Sequence, residues 1–226
     1  MKDTDGDGIA DIRNRVYSGF GRDGEQYMLN NLIWGVDHWI YGATAGNGGT
    51  VLSLIDPDAE PISVNGRDFR FDPVSGVFET TTETFQFGNT FDDWYNRFVC
   101  NQGVPARHAI LPDRYMARSP YLLDVSGVNS LVDGWTRLYK ISPIEAWRSI
   151  RRARRIAAGR DPTSPGVDHK YLTAGAGLTV YRGDAYPEKY RGNLFIGAST
   201  ANLVHRRALI PDGPTFRSVR VDKETE

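Results

Sequence analysis

The sequence predicts an all-β fold, because short strand–turn–strand units recur along it and turn-forming and aromatic residues are abundant. The 226 residues include 24 glycines and 12 prolines, and aromatic side chains make up 12%. Glycine and proline favour turns and aromatic residues favour strands, so this composition indicates many short strands rather than a helical bundle. A hairpin cannot bury its apolar face alone, and repeated antiparallel units of this kind fit a β-propeller or a β-sandwich.

Three hairpins are predicted in the first half of the chain. The first covers residues 33–41, around a Gly/Asp turn. The second covers 69–78, where an Asp-Pro pair opens the turn and Gly76 can adopt positive φ. The third covers 91–99, where Asn96 suits a left-handed turn position. Further strands are predicted at 178–181, 194–198, 203–209 and 216–221.

One basic helix is predicted to interrupt the strands near residues 143–158. Ser142 and Glu145 have the spacing of a capping box, with a proline at the first helical position, and Gly159 suits the C-terminal end. Arginine is frequent in and just after this segment, at Arg148, Arg151, Arg152, Arg154, Arg155 and Arg160. Their spread around the helix indicates a solvated face with a narrow apolar stripe, and the alternative is a docking surface for an acidic partner or anionic lipid.

Composition and charge exclude several classes of function. The net charge of −1 predicts no general attraction to nucleic acid. No apolar stretch is long enough to span a bilayer. Cys100 is the only cysteine, so an intrachain disulfide cannot form. The start of the chain lacks the apolar core of a signal peptide, and we expect the chain to be a fragment whose true N-terminus lies upstream.

An acidic loop within residues 1–14 predicts a structural calcium site. The predicted ligands are the carboxylates of Asp3, Asp5, Asp7 and Asp11 and the carbonyl of Ile9. Calcium takes six to eight oxygen ligands, and alternate carboxylates around a turn at Gly8 supply them. Asn14 stands where an EF-hand has its bidentate glutamate, so the loop resembles the calcium repeats of thrombospondin type 3 and dockerin more closely. The alternative is a solvated acidic terminus.

Residues 176–197 resemble one blade of the glucose/sorbosone dehydrogenase family. The blade's conserved order of residues is matched at Tyr181, Gly183, Asp184, Pro187, Gly192 and Phe195. The segment 30–35, followed by Tyr41 and Gly42, is similar to another stretch of that family. The whole chain resembles most closely the branch of planctomycete-type "membrane-bound dehydrogenase" proteins.

The resemblance implies a six-bladed propeller, of which residues 1–226 would form about four blades. It also implies an exported, extracytoplasmic parent protein that binds pyrroloquinoline quinone (PQQ) and oxidises a small sugar or alcohol. A c-type cytochrome domain or partner would receive the electrons. No Cys-x-x-Cys-His haem motif occurs in this sequence, so any cytochrome lies outside these residues.

The catalytic residues that the resemblance implies are incomplete here. Tyr27 stands where the family has its catalytic histidine, just ahead of Asn30, and a phenol with a pKa near 10 is a poor base. No arginine is present in 86–90, where the family arginine is expected. Arg107 and His108 lie between strand-like segments and could line a central channel. The sequence therefore gives Tyr27, Asn30, Arg107 and His108 as catalytic candidates.

Two functions follow from these observations. The first is a quinoprotein-dehydrogenase-like propeller that oxidises a sugar or alcohol and passes electrons to a c-type cytochrome. The second is a catalytically inactive propeller that serves as a carbohydrate- or protein-binding scaffold in an exported assembly. The replacement of the family base by Tyr27 favours the second. The remaining histidines are expected to be structural (His205) or solvated (His38 and His169).

Overall fold

A computed structural model describes residues 1–119, 121, 125–132 and 135–222. These residues form four antiparallel β-sheets of three or four strands and little helix. The predicted all-β fold is therefore confirmed. No helix among the described residues is long and apolar enough to cross a membrane.

The first two sheets come from the first third of the chain. A four-stranded sheet has the order β2 (Asn30–Trp34), β3 (Ile40–Ala43), β6 (Asp68–Phe71) and β7 (Phe78–Thr81). A three-stranded sheet has the order β1 (Tyr17–Phe20), β4 (Gly49–Ser53) and β5 (Ile62–Ser63). Strands β4 and β5 thus lie in the connection between β3 and β6.

Two further four-stranded sheets follow, each with its strands in chain order. One contains β8 (Gly88–Phe91), β9 (Arg97–Cys100), β10 (Arg107–Ala109) and β11 (Val128–Ser130). The other contains β12 (Gly175–Val180), β13 (Leu194–Ala198), β14 (Leu203–Asp212) and β15 (Thr215–Arg220). The helices are α1 (Asp113–Met116) and α2 (Ala146–Ala157), with 3₁₀ turns at Glu25–Tyr27 and Glu188–Tyr190.

The three predicted hairpins are present as β2–β3, β6–β7 and β8–β9. Gly76 has the positive φ of 74° that its turn requires. The third turn was predicted incorrectly, since Tyr95 and not Asn96 adopts positive φ, at 69°. The Asn96 side chain and backbone N–H instead bond the Asp92 carboxylate at 2.8 Å, while the Tyr95 ring stacks on Phe91 with centroids 4.9 Å apart. These tertiary contacts outweigh the usual preference of asparagine for that conformation.

The first strands of the three four-stranded sheets lie side by side. Strand β8 contacts both β2 and β12. The N–H of Gly177 donates to the carbonyl of Phe87 at 2.6 Å, and the Asn89 amide donates to the carbonyl of Asn31 at 3.4 Å. The largest buried cluster lies between the second and third of these sheets and includes Phe98 on β9. The starts of β2, β8 and β12 are consequently close to one another.

Helix α2 confirms the predicted inserted helix but not its start. The predicted cap residue Ser142 lies before the helix, and its hydroxyl donates to the carbonyl of Ala201 at 3.4 Å. Glu145 precedes the first turn in an extended conformation and pairs with Arg148 at 2.6 Å. These contacts to neighbouring groups replace the capping box. The predicted end is confirmed, because Gly159 has a φ of 81° just after the last turn.

Candidate functional site

The acidic N-terminal loop is closed at its base by backbone pairing. Lys2 and Ile12 exchange two hydrogen bonds, of 2.9 and 3.0 Å. Inside the loop, Gly6 and Gly8 have φ values of 83° and 86°, which residues with side chains rarely adopt. The sequence therefore folds locally into a tight, closed loop.

Three of the predicted calcium ligands converge in this loop. Carboxylate oxygens of Asp3, Asp5 and Asp11 lie within 4.8 Å of one another, and Asp7 is outside this group. The N–H groups of Gly6 and Gly8 donate to Asp3 at 2.7 and 2.9 Å. These bonds lower the pKa of Asp3, so it is ionised at neutral pH. The arrangement fits a divalent cation bound by exposed oxygen ligands.

Two of the predicted catalytic residues, Tyr27 and Asn30, lie near the start of β2 without forming a site. Tyr27 is 42% exposed, and its ring lies against Gly24. The Asn30 amide donates to the carbonyl of Met28 at 2.8 Å. Both of these contacts are local.

The other two, Arg107 and His108, lie on β10. Arg107 pairs with Glu83 at 3.5 Å. His108 is buried between the rings of Phe98 and Phe216, and its Nδ1 bonds the Thr215 hydroxyl at 2.9 Å. Burial lowers the pKa of His108, so its imidazole is neutral at pH 7.

His108 also lines a cleft of about 350 Å³ beside β6, β7 and β10. Several charged groups of this cleft already pair with one another. Arg70 bonds the carboxylates of Asp37 at 3.0 Å and Glu79 at 2.6 Å, and its guanidinium lies 4.1 Å over the Trp39 ring. Tyr41 bonds Asp37 and the hydroxyl of Tyr95. This network links neighbouring sheets, and its polar groups are occupied with one another and not free for a ligand.

A larger cavity, of about 460 Å³, lies between α2 and the starts of β8 and β12. Gln26, Phe87 and Ala174 line it, each lying just before or close to the first strand of a sheet. The rest of the lining comes from α2, from residues between 166 and 173, and from Gln102, Gly103, Trp135, Lys140 and Thr200. We refer to this space as the α2 cavity.

Positive charge dominates the lining of the α2 cavity. Its cationic residues are Lys140, Arg148, Arg151, Arg152 and Arg155. Among the described residues that line it, Asp168 is the one carboxylate. Arg148 is neutralised by Glu145, which lies beside the cavity. Lys140 donates to the carbonyl of Thr200 at 2.9 Å, an interaction that leaves its charge uncompensated.

Two tryptophan rings contribute apolar surface to the cavity. Trp135 is 51% exposed and Trp147 is 52% exposed, so each presents part of its ring to solvent. Trp135 packs against Gly103, where an added Cβ would lie 2.3 Å from the ring. Arg148 covers part of the Trp147 ring at 4.4 Å. Trp135 is thus held in place, and Trp147 is positioned by the first turn of α2.

His169 also lines the cavity, although the sequence predicted it to be solvated. Burial and the nearby charges of Lys140 and Arg152 lower its pKa. Its Nε2 atom is buried and has no hydrogen-bond partner among the described residues. His38, also predicted to be solvated, is exposed. His205 is fully buried, as expected of a structural residue.

The cavity therefore combines aromatic faces, hydrogen-bonding side chains and excess positive charge. Its uncharged polar side chains are Gln26, Gln102, Thr173 and Thr200. None of the catalytic residues predicted from the sequence lines this cavity. In the sequence, the arginines of α2 were the one feature that indicated this cavity, and the same arginines were also compatible with a solvent-exposed helix.

A family model described as "Domain of unknown function (DUF7133)" matches residues 1–226, the whole chain. No curated protein and no solved structure matches the chain.

Proposed function

This chain belongs to the DUF7133 family, and we propose that it is a catalytically inactive β-propeller segment that binds carbohydrate in the α2 cavity. The observation that carries the proposal is the pair of half-exposed rings, Trp135 and Trp147, beside a cavity that also contains amides and hydroxyls. Binding sites of this kind combine apolar and aromatic surface with a few polar groups that fix the ligand's orientation. A sugar offers a C–H face to the rings and hydroxyls to the polar groups.

The order of the strands supports a propeller. Each four-stranded sheet beginning with β2, β8 or β12 is antiparallel, and the two later ones follow the chain order without interruption. The first strands of the three sheets are neighbours, as the inner strands of successive blades would be. The α2 cavity would then lie at one end of the central channel, where propellers commonly present loops to ligands.

The positions of the predicted catalytic residues support the proposal of an inactive propeller. A general base must come within hydrogen-bond reach of the proton that it removes. His108 is packed between two aromatic rings beside a different cleft, and Tyr27 lies against Gly24. None of the catalytic candidates predicted from the sequence lines the α2 cavity, so the base that the resemblance implies is not at this site.

We also propose that the acidic loop binds calcium in a structural role. Three carboxylates converge there, and their mutual repulsion would be relieved by a divalent cation. A calcium-dependent loop and an extracytoplasmic scaffold are consistent with each other, because calcium modules of weak affinity are common outside cells.

A sugar or alcohol dehydrogenase is the second candidate function, and the charge of the α2 cavity favours it. PQQ carries several carboxylates, and Arg151, Arg152 and Arg155 could hold them. When bound, the quinone would accept hydride from the substrate, and a c-type cytochrome would reoxidise it. Sugar-dependent dye reduction by the chain mixed with PQQ and calcium would establish this function.

Binding of saccharides tests the first function. Titration of the chain with short neutral and acidic oligosaccharides, followed by calorimetry, should show binding that Trp147→Ala abolishes. Trp94→Ala is the matched control, because Trp94 is 86% exposed and lies outside the cavity. If no saccharide binds, or if both substitutions act equally, the carbohydrate-binding function is wrong.

A further inference from the structure

Uncompensated charge distinguishes the α2 cavity from a site for neutral sugar. In the described part of the chain, Arg148 is the one lining cation that is ion-paired with a carboxylate. Arg152 and Arg155 donate to the carbonyls of Pro162 and Gly166, which orient their guanidinium groups without cancelling their charge. The concave wall concentrates the field of these charges. The cavity therefore attracts anions.

The arginines form a row along one face of α2. The others follow Arg148 by three, four and seven residues, at Arg151, Arg152 and Arg155. This spacing places the four side chains on successive turns of the same face. The turns are about 5.4 Å apart. A row of cations at that spacing suits a ligand that carries several negative charges along its length better than a single small anion.

The tryptophan rings indicate what else the ligand contains. Trp147 lies at the start of the same face of the helix, and Trp135 also lines the cavity. An inorganic anion would use the arginines and leave both rings exposed. A ring with an apolar face and acidic substituents would use the rings and the arginines together.

We infer that the α2 cavity binds an acidic oligosaccharide, whose carboxylate or sulfate groups pair with the arginines of α2 and whose sugar rings stack on Trp135 and Trp147. This inference rests on the proposed carbohydrate-binding function and names the class of carbohydrate. Burial and the nearby charge of Arg148 lower the pKa of Lys140, against a smaller opposing effect of Glu145, and this direction agrees with an excess of positive charge in the cavity.

The test compares two arginines of the same helix. Arg151 lines the cavity, and its side chain makes no hydrogen bond or ion pair in the described part of the chain, so Arg151→Gln should leave the fold intact. Arg154 is exposed, lies outside the cavity and provides the matched control as Arg154→Gln. Calorimetric titration of the full chain would use a short oligogalacturonate, a neutral oligogalactose of the same length, sodium sulfate and PQQ.

We expect the oligogalacturonate to bind more tightly than the neutral sugar and to bind less tightly as salt is raised. Arg151→Gln should weaken its binding by about tenfold, and Arg154→Gln should leave it unchanged. Equal effects of the two substitutions, or binding of PQQ or sulfate without the oligogalacturonate, would overturn the inference. Tight binding of the neutral sugar alone would also overturn it, while leaving the carbohydrate-binding function in place.

Discussion

The carboxylate of Asp68 lies 3.3 Å from the guanidinium of Arg97, and the two residues belong to different sheets. Both side chains are buried. The second carboxylate oxygen of Asp68 accepts the N–H groups of Thr44 and Phe85, while Arg97 also bonds Asn89 at 3.0 Å. This buried network joins the sheet of β6 to the sheet of β9 and fixes their relative position.

Loss of Arg97 is expected to destabilise the fold strongly at neutral pH. Arg97→Met would leave the Asp68 carboxylate buried without a cation, and breaking a buried pair in this way costs about 3–5 kcal/mol. Urea denaturation at pH 7 measures the change in the free energy of unfolding. The control is Arg191→Gln, which removes an exposed pair with Asp93 and should cost less than about 1 kcal/mol. Similar changes in the free energy of unfolding for the two variants would show that the buried pair stabilises the fold no more than an exposed pair does.

Asp68 should make the stability depend on pH in an unusual direction. Burial raises the pKa of Asp68 from 3.8 to about 6, even though Arg97 opposes this effect. The folded chain then binds the proton more tightly than the unfolded chain. The stability that Asp68 contributes is therefore full below about pH 4 and is lost as pH rises through about 6.

The comparison that isolates this effect uses Asp68→Asn, which stays neutral at every pH. The free energy of unfolding of the wild type, minus that of the variant, should fall by about 2 kcal/mol between pH 4 and pH 7. Urea denaturation across this range gives both values. A difference that instead increases with pH would mean that the attraction of Arg97 outweighs the cost of burial.

Glycine is expected to be essential at residue 19 but not at residue 159. Both have positive φ, of 90° and 81°. A Cβ at Gly19 would lie 2.0 Å from the carbonyl oxygen of Thr50 on the neighbouring strand, whereas nothing lies within 4 Å at Gly159. Gly159→Ala should cost about 1 kcal/mol from backbone strain alone, and Gly19→Ala should cost clearly more. Equal melting temperatures for the two variants would contradict the close approach of β1 and β4.

Calcium binding should depend on Asp11 more than on an aspartate elsewhere. Calorimetry with calcium should give a dissociation constant of about 10⁻⁴ to 10⁻³ M, which is typical of extracellular calcium modules. Asp11→Asn should weaken binding by about tenfold, because it removes one of three converging carboxylates. Asp58→Asn changes an exposed aspartate outside the loop and serves as the control. Equal calcium affinity of the two variants would contradict the assignment of the calcium site to this loop.

Much of the fold could be predicted from the sequence, because turn chemistry is local. The hairpins at β2–β3, β6–β7 and β8–β9 follow from Gly, Asp and Pro between aromatic runs. The start of α2 could not be predicted, because Ser142 bonds Ala201, nearly sixty residues away in the chain. The left-handed turn was misplaced for the same reason, since Tyr95 is held by its contact with Phe91.

The candidate site was harder to predict than the fold. Its lining comes from segments as far apart as Gln26 and Thr200. The sequence showed the arginines of α2, but their partner surface depends on how β8 and β12 meet, which no local pattern reveals. The resemblance to dehydrogenases pointed to Tyr27, and the position of His108 between strand-like segments pointed to a channel residue, but the fold places both outside the α2 cavity.

The most direct test of the account labels all tryptophans with fluorine and follows their NMR signals as oligogalacturonate is added. The chain contains five tryptophans, and single substitutions assign each signal. Binding in the α2 cavity predicts that the signals of Trp135 and Trp147 shift together and saturate, while those of Trp34 and Trp94 do not move. Shifts confined to Trp34, Trp39 or Trp94, or no shift at saturating ligand, would contradict carbohydrate binding in this cavity.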